Sequence, residues 1–183
     1  MKLYEIILLI ISEFGDRIAG RTKVQKMCYF YSKLKNKEMG FRPHYYGPYS
    51  PAVENALDEL EGIGLIDKKI KIFGENQDGF EVKRYDYEIT KYGKQVVDTI
   101  EDCQEKRDLH EFVEQIKKAG IPGTMDISIA AKAFYILDRE NIPLTHEEIR
   151  KKAGTFGWNI DPNAINRATA FLNAFGFIEQ KNV

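Results

Sequence analysis

The sequence predicts a mainly α-helical fold that carries one small β-hairpin. Three observations predict it. Residues 65–73 (LIDKKIKIF) and 80–89 (FEVKRYDYEI) alternate apolar with polar side chains, the period of half-buried strands, across a turn-rich GENQDG connection. Upstream of the hairpin, three stretches place apolar residues at steps of three and four, the period of helices with one buried face. Downstream, Thr90 opens another helical run, which continues beyond residue 110.

The first helix is expected over about 2–14, with Leu3, Ile6, Ile7, Ile10 and Phe14 facing a core. Its apolar run is too short to span a bilayer and lacks a small-residue cleavage site, so neither a membrane segment nor a leader is expected. The second helix begins after Gly20 and runs to about Asn36, with Val24, Met27, Cys28, Phe30, Tyr31 and Leu34 on one face. The third opens at Ser50-Pro51. Ser50 can accept the amide of Val53, Pro51 suits the first helical position, and Glu54 sits near the positive end of the dipole. Its buried stripe is Val53, Ala56, Leu57, Leu60 and Ile63, and Gly62 and Gly64 stop it.

After the hairpin, a long helix is expected over about 91–119. Val96, Val97, Ile100, Leu109, Phe112, Val113 and Ile116 are spaced as a contact seam, and a charged middle (EDCQEKRD) marks a linker or a dimer arm. Gly120 to Gly123 breaks the chain. Then come an apolar helix over Ile127–Arg139, a capping box at Thr145 and Glu148, and a helix opening at Asp161-Pro162 with Ile165, Ala168, Phe171, Leu172 and Phe175. Gly176-Phe177-Ile178-Glu179 matches the Gly64-Leu65-Ile66-Asp67 exit of the third helix, which makes the end of the chain a shortened structural repeat of its beginning. This order is that of an N-terminal winged helix-turn-helix over 1–95, a connecting and dimerisation helix over 96–120, and a C-terminal helix-turn-helix-like unit over 121–183.

Arg21-Thr22-Lys23-Val24-Gln25-Lys26, followed by an aromatic helix and then by Tyr46-Gly47-Pro48-Tyr49-Ser50-Pro51, resembles the uncharacterised YwgA-like proteins. It is more distantly similar to the Panacea antitoxin domain, which carries a Lys-x-Gln-Lys helix and a Tyr-Gly-Pro turn. Tyr87-x-Ile89-Thr90-x-x-Gly93 resembles the wing-to-helix junction of MarR-like and PadR-like regulators. The resemblance covers about residues 20–95. It implies a winged-helix-like fold and leaves activity open, because these groups include protein-binding members and fold does not fix function.

Composition narrows the function classes. With 183 residues and a net charge of −1, the chain can build real cores and is not a basic nucleic-acid coat. Its two cysteines, Cys28 and Cys103, make no disulfide framework and fit a reducing cytoplasm. Cys28 sits on an apolar helix face and is expected to be a buried thiol. The histidines, His44, His110 and His146, stand singly, and no spacing suits zinc. No phosphate loop or nucleophile elbow appears. No metal, cofactor or catalytic constellation is therefore expected, and the protein is read as non-enzymatic.

Charge is unevenly placed. Between Arg17 and Tyr46 eight basic residues face Glu38 alone. From Pro51 to Asp67 the sign reverses, with Glu54, Asp58, Glu59, Glu61 and Asp67 and no cation. The hairpin restores positive charge through Lys68, Lys69, Lys71, Lys83 and Arg84. Phosphate contacts dominate duplex affinity, and a helix of carboxylates is ill suited to the major groove. Duplex DNA is thus expected to meet the start of the third helix, the aromatic loop and the wing, through Arg21, Lys23, Arg42, His44, Tyr45, Lys69, Lys71, Lys83 and Arg84. The plainer reading of the basic second helix is a solvated face.

In the loop, Tyr46 and Tyr49 are expected to serve the core, and Arg42, His44 and Tyr45 stand open between a binding platform and packing. Trp158 and Phe156 are expected to plug the C-terminal unit rather than to form a contact surface. The function expected is a cytoplasmic, homodimeric DNA-binding transcriptional regulator. The alternative is an antitoxin-like or adaptor module that grips a protein through the aromatic loop and the acidic third helix.

Overall fold

The computed structural model describes residues 1–75, 79, 81–118 and 123–178. The middle of the hairpin turn (76–78), the expected chain break at 120–122 and Glu179 of the repeat lie outside the described residues. In chain order the elements are α1 (Leu3–Glu13), β1 (Arg17–Ala19), α2 (Arg21–Leu34), α3 (Pro51–Gly62), β2 (Ile66–Glu75), β3 (Glu81–Ile89), α4 (Lys91–Thr99), α5 (Gln104–Lys118), α6 (Thr124–Glu140), α7 (His146–Thr155) and α8 (Pro162–Ala174). The chain is mainly α, with one small antiparallel sheet of strand order β1-β3-β2.

The expected hairpin is present. β2 and β3 pair from Ile66↔Ile89 to Ile72↔Lys83, with a bulge before Glu75↔Glu81. β1 was not expected: its three residues are too few for a visible alternation, and they pair only with the base of β3, Ile18 opposite Tyr87. The base of the hairpin is buried through Ile66, Tyr87 and Ile89. From Lys69 to Glu75 and from Glu81 to Lys83 both faces are exposed, so the distal half stands off the helices.

Local signals set the helix ends. Ser50 accepts the amide of Val53 at 3.2 Å, and Thr90 accepts that of Gly93 at 3.0 Å. The Thr145–Glu148 capping box closes in both directions. The two matched glycine exits share one geometry. Gly64 and Gly176 have φ of 74° and 67°, and the amides of Leu65 and Phe177 each return 2.9 Å bonds to Leu60 and Leu172. That is the Schellman pattern, for which a left-handed glycine is the natural residue.

α2 is the central element. It is buried continuously from Val24 to Ser32, with α1, α3 and the sheet on one side and α6 on the other. Phe30 meets Phe134 of α6, Phe171 of α8 and Phe177 beyond it. One apolar core therefore runs through the expected segments 1–95, 96–120 and 121–183. Two residues assigned to buried stripes are exposed: Leu34, in the last turn of α2, and Ile63, just past α3.

The single long helix expected over 91–119 is two helices, because the backbone becomes extended at Ile100. Ile100 and Leu109 are nine residues apart, which at about 100° per residue puts them on opposite sides of a continuous helix. Breaking the helix lets both halves reach α1. Leu109, Phe112, Val113 and Ile116 are then buried against α1 of the same chain. Lys35–Asp108 at 2.6 Å, Lys37–Glu105 at 2.6 Å and a Met1–Glu105 pair fasten α5 there. The expected homodimer thus loses the seam from which it was argued. Among the described residues, no helix is long and apolar enough to cross a membrane.

Candidate functional site

A cleft of about 760 Å³ opens where the start of α2, the 40–50 loop, β3 and the start of α6 meet. Its floor is set by two sequence motifs that the fold brings together. On α2, the Gln25 amide donates to the Ser50 carbonyl and accepts the Ser50 amide, both at 2.9 Å. One residue on, Lys26 Nζ donates to the Pro48 carbonyl at 2.7 Å. The Lys23-Val24-Gln25-Lys26 segment therefore holds the Tyr46-Gly47-Pro48-Tyr49-Ser50-Pro51 turn in place. Gly47, at φ 96°, packs so closely that a Cβ would lie 3.0 Å from Lys132 Cγ and 3.5 Å from Lys26 Cε.

The loop is further pinned from both directions. Arg42 and Tyr49 exchange backbone hydrogen bonds at 2.9 Å. Trp158 is buried, and its indole N–H donates to the His44 carbonyl at 2.7 Å. Trp158 is a core residue as expected, and it also braces the loop. The His44 ring lies 4.8 Å from that of Tyr49. Tyr46, expected in the core, is instead 55% exposed and lines the cleft.

Of the nine residues expected to touch nucleic acid, five line the cleft: Arg21, Arg42, His44, Lys83 and Arg84. Arg21 is heavily engaged. Its guanidinium donates to Tyr87 Oη at 3.2 Å, pairs with Glu54 and stacks over the Tyr85 ring at 4.7 Å. Lys83 pairs with Glu81 at 2.7 Å. Arg84 forks onto Asp86 at 2.7 and 3.0 Å. Lys69 and Lys71 lie opposite Asp86 and Arg84 and so share their face of the hairpin, paired with Glu88 and with Asp86 (3.6 Å). Lys23 is elsewhere, over the Phe14 ring at 4.8 Å, and burial lowers its pKa. Tyr45 caps the loop, 72% exposed and edge-on to Tyr46.

Asp86 organises the outer face of the sheet. It is almost fully buried and meets Arg84, Arg17 (3.3 Å) and Lys71. Burial alone would raise its carboxyl, but hydrogen bonds from Arg84 and Arg17 outweigh that and hold it below the ordinary carboxylate range. The acidic third helix is also less bare than its sequence implies. Glu54 is held by Arg21, and Asp58 and Glu61 by Lys68 of β2.

Lys26 is the site residue that the sequence reading missed, because it was counted among the surface cations of the second helix. It is 1% exposed. Burial, and then the nearby Lys132, lower its pKa to about 7. A signal for it existed. Met27-Cys28-Tyr29-Phe30-Tyr31 is apolar all round the helix, which requires partners on both sides. Cys28 is buried as expected, and burial pushes its thiol up to about 12. Among the described residues, no group of three or more His, Cys, Asp or Glu could hold a metal ion.

No family model matches the chain. Over 101 residues it is 30% identical to the uncharacterised protein YwgA of Bacillus subtilis (strain 168), a stretch covering 54% of this chain and 55% of that protein. The chain thus spans about half the length of the curated relative it matches.

Proposed function

We propose that the chain is a cytoplasmic, non-enzymatic nucleic-acid-binding regulator, in which residues 1–95 act as a winged helix and residues 121–183 brace the loop beside it. The observation that carries this reading is the projecting hairpin. Its distal half is exposed on both faces and bears Lys69, Lys71 and Lys83, with half-buried Arg84 at its edge, next to Arg42 of the loop. The order helix, strand, helix, helix, strand, strand, with the sheet ordered β1-β3-β2, supports it as fold analogy. On this reading duplex DNA meets the wing and Arg42. Arg21 and Lys23 drop out, because their charges are spent inside the protein. Each paired lysine would exchange a carboxylate for a phosphate, so the affinity is modest and steeply salt-dependent.

The test is a fluorescence-anisotropy titration of mixed-sequence duplex at low salt. Binding in the micromolar range is expected, with a salt slope of about −0.9 per phosphate neutralised. Replacing Lys69, Lys71 and Arg84 together by Ala should weaken all sequences alike and flatten the slope. No binding at micromolar protein would overturn the reading.

One observation favours the protein-binding alternative. The same hairpin exposes Ile70, Ile72, Phe73 and Val82, an apolar tip more suited to a protein surface than to phosphates. A wing whose apolar residues matter and whose lysines do not would favour that reading.

A further inference from the structure

We propose that the cleft is a binding site for a small aromatic phosphomonoester of nucleoside-monophosphate size, a ligand separate from the duplex expected at the wing. The volume of about 760 Å³ lies within the range of small-molecule pockets, roughly 300–1,000 Å³. The charge inside is unbalanced. Among the described residues Glu54 is the one carboxylate on the wall, and Arg21 already holds it. Among the described residues, no carboxylate pairs with Lys26, with Arg42 or with Lys132 behind the Gly47 turn.

Lys26 is the more telling of these. An ammonium that is 1% exposed, with a single carbonyl acceptor and another lysine beside it, is costly to hold and gains from an anion within reach. A second observation points the same way. α2 begins in the cleft wall at Gly20-Arg21-Thr22 with no side-chain cap and no acidic residue in its first turn; the Lys23 amide turns back to the Gly20 carbonyl at 3.0 Å, which leaves the amides of Arg21 and Thr22 open to an acceptor. Three cations without a carboxylate partner among the described residues, Lys26, Arg42 and Lys132, and an open helix start suit a dianion. The walls suit a ring: Tyr46, Tyr49, Tyr85 and His44 surround the cleft, and Tyr85 already stacks on Arg21. A duplex phosphate stays on the surface of a rod too wide to enter, so the deep cation is not explained by the wing's ligand.

The test is isothermal titration calorimetry of the full chain with adenosine 5′-monophosphate, uridine 5′-monophosphate, adenosine and inorganic phosphate. At least one monophosphate should bind with a Kd below millimolar, and adenosine and phosphate should each bind at least tenfold more weakly. Arg42→Ala alters an exposed loop side chain and should weaken the monophosphate at least tenfold with Tm unchanged. Lys26→Met should likewise weaken the monophosphate if it folds, whereas Lys152→Ala, on α7, should not. Absence of heat with every monophosphate, or equal affinity in wild type and R42A, would overturn the proposal. The titrations contain no nucleic acid, so their failure leaves the wing reading standing, and the reverse holds too.

Discussion

Lys26→Met should make the protein less sensitive to mild alkali. In the fold, burial and Lys132 lower Lys26 from 10.5 to about 7. Between pH about 7 and about 8.5 the unfolded chain keeps this proton while the folded chain sheds it. The unfolded state then binds more protons, so unfolding free energy rises with pH. Integrated over that window at about 1.36 kcal/mol per pH unit, the gain is about 1–2 kcal/mol. For a chain of this size that is roughly 3–6 °C in Tm. The charged groups around the cleft are Lys132 on α6, Arg21 on α2, Glu54 on α3, Lys83 and Arg84 on β3, and Arg42 in the loop. They remain in the variant, so the difference between the two proteins isolates Lys26. Above this window Cys28 enters with the opposite sign, since burial raises its thiol from 9.0 to about 12. The assay is paired thermal melts of wild type and K26M across the window. Wild type should gain and K26M should not. Lys132→Met should shift the wild-type rise to higher pH by removing the like charge. Parallel curves for wild type and K26M would refute the reasoning, because they would mean that Lys26 carries no titrating charge near neutrality.

Three further outcomes are expected. A Cβ at Gly93 would run into the Leu65 carbonyl and the Ile89 side chain, so Gly93→Ala should cost about 1–3 kcal/mol in denaturant melts. Ser50 accepts from Val53 and donates to the Met39 carbonyl, so Ser50→Ala should cost about 1–2 kcal/mol by the same measurement. Asp86→Asn releases Arg17, Lys71 and Arg84 from a shared anion. It should lower stability yet tighten duplex binding in the anisotropy titration. Weaker binding on a folded variant would count against the wing as the phosphate-contacting element.

Much of the backbone was legible because it is specified locally. Ser50-Pro51, Thr145 with Glu148, and the Gly64 and Gly176 exits each bond to residues at most five positions away. The strand alternation was legible for the same reason. What was hidden depends on residues far off in the chain. Lys26 is buried because the Pro48 turn and α6 close over it; the apolar run from Met27 to Tyr31 implies a second layer but does not say which distant segment supplies it. The break after Ile100 follows from α1 lying beneath both halves of the seam. The pairing of the wing's lysines follows from register: Lys69 and Lys71 lie opposite Asp86 and Arg84, which sets each diagonal to a carboxylate on the same face, Glu88 and Asp86, whereas spacing along the sequence shows only a run of cations.

The Trp158 hydrogen bond to His44 spans 114 positions. It therefore orders events in time as well as in space. During synthesis, α1 to β3 emerge early, and helical segments of this length form fast. The rim of the cleft cannot take its final shape until residue 158 has been made and α7 has docked. Until then the nascent chain carries a loop without its clasp, and ligand competence arrives last. Because Trp158 is the single tryptophan of the chain, its emission marks that moment without any added label.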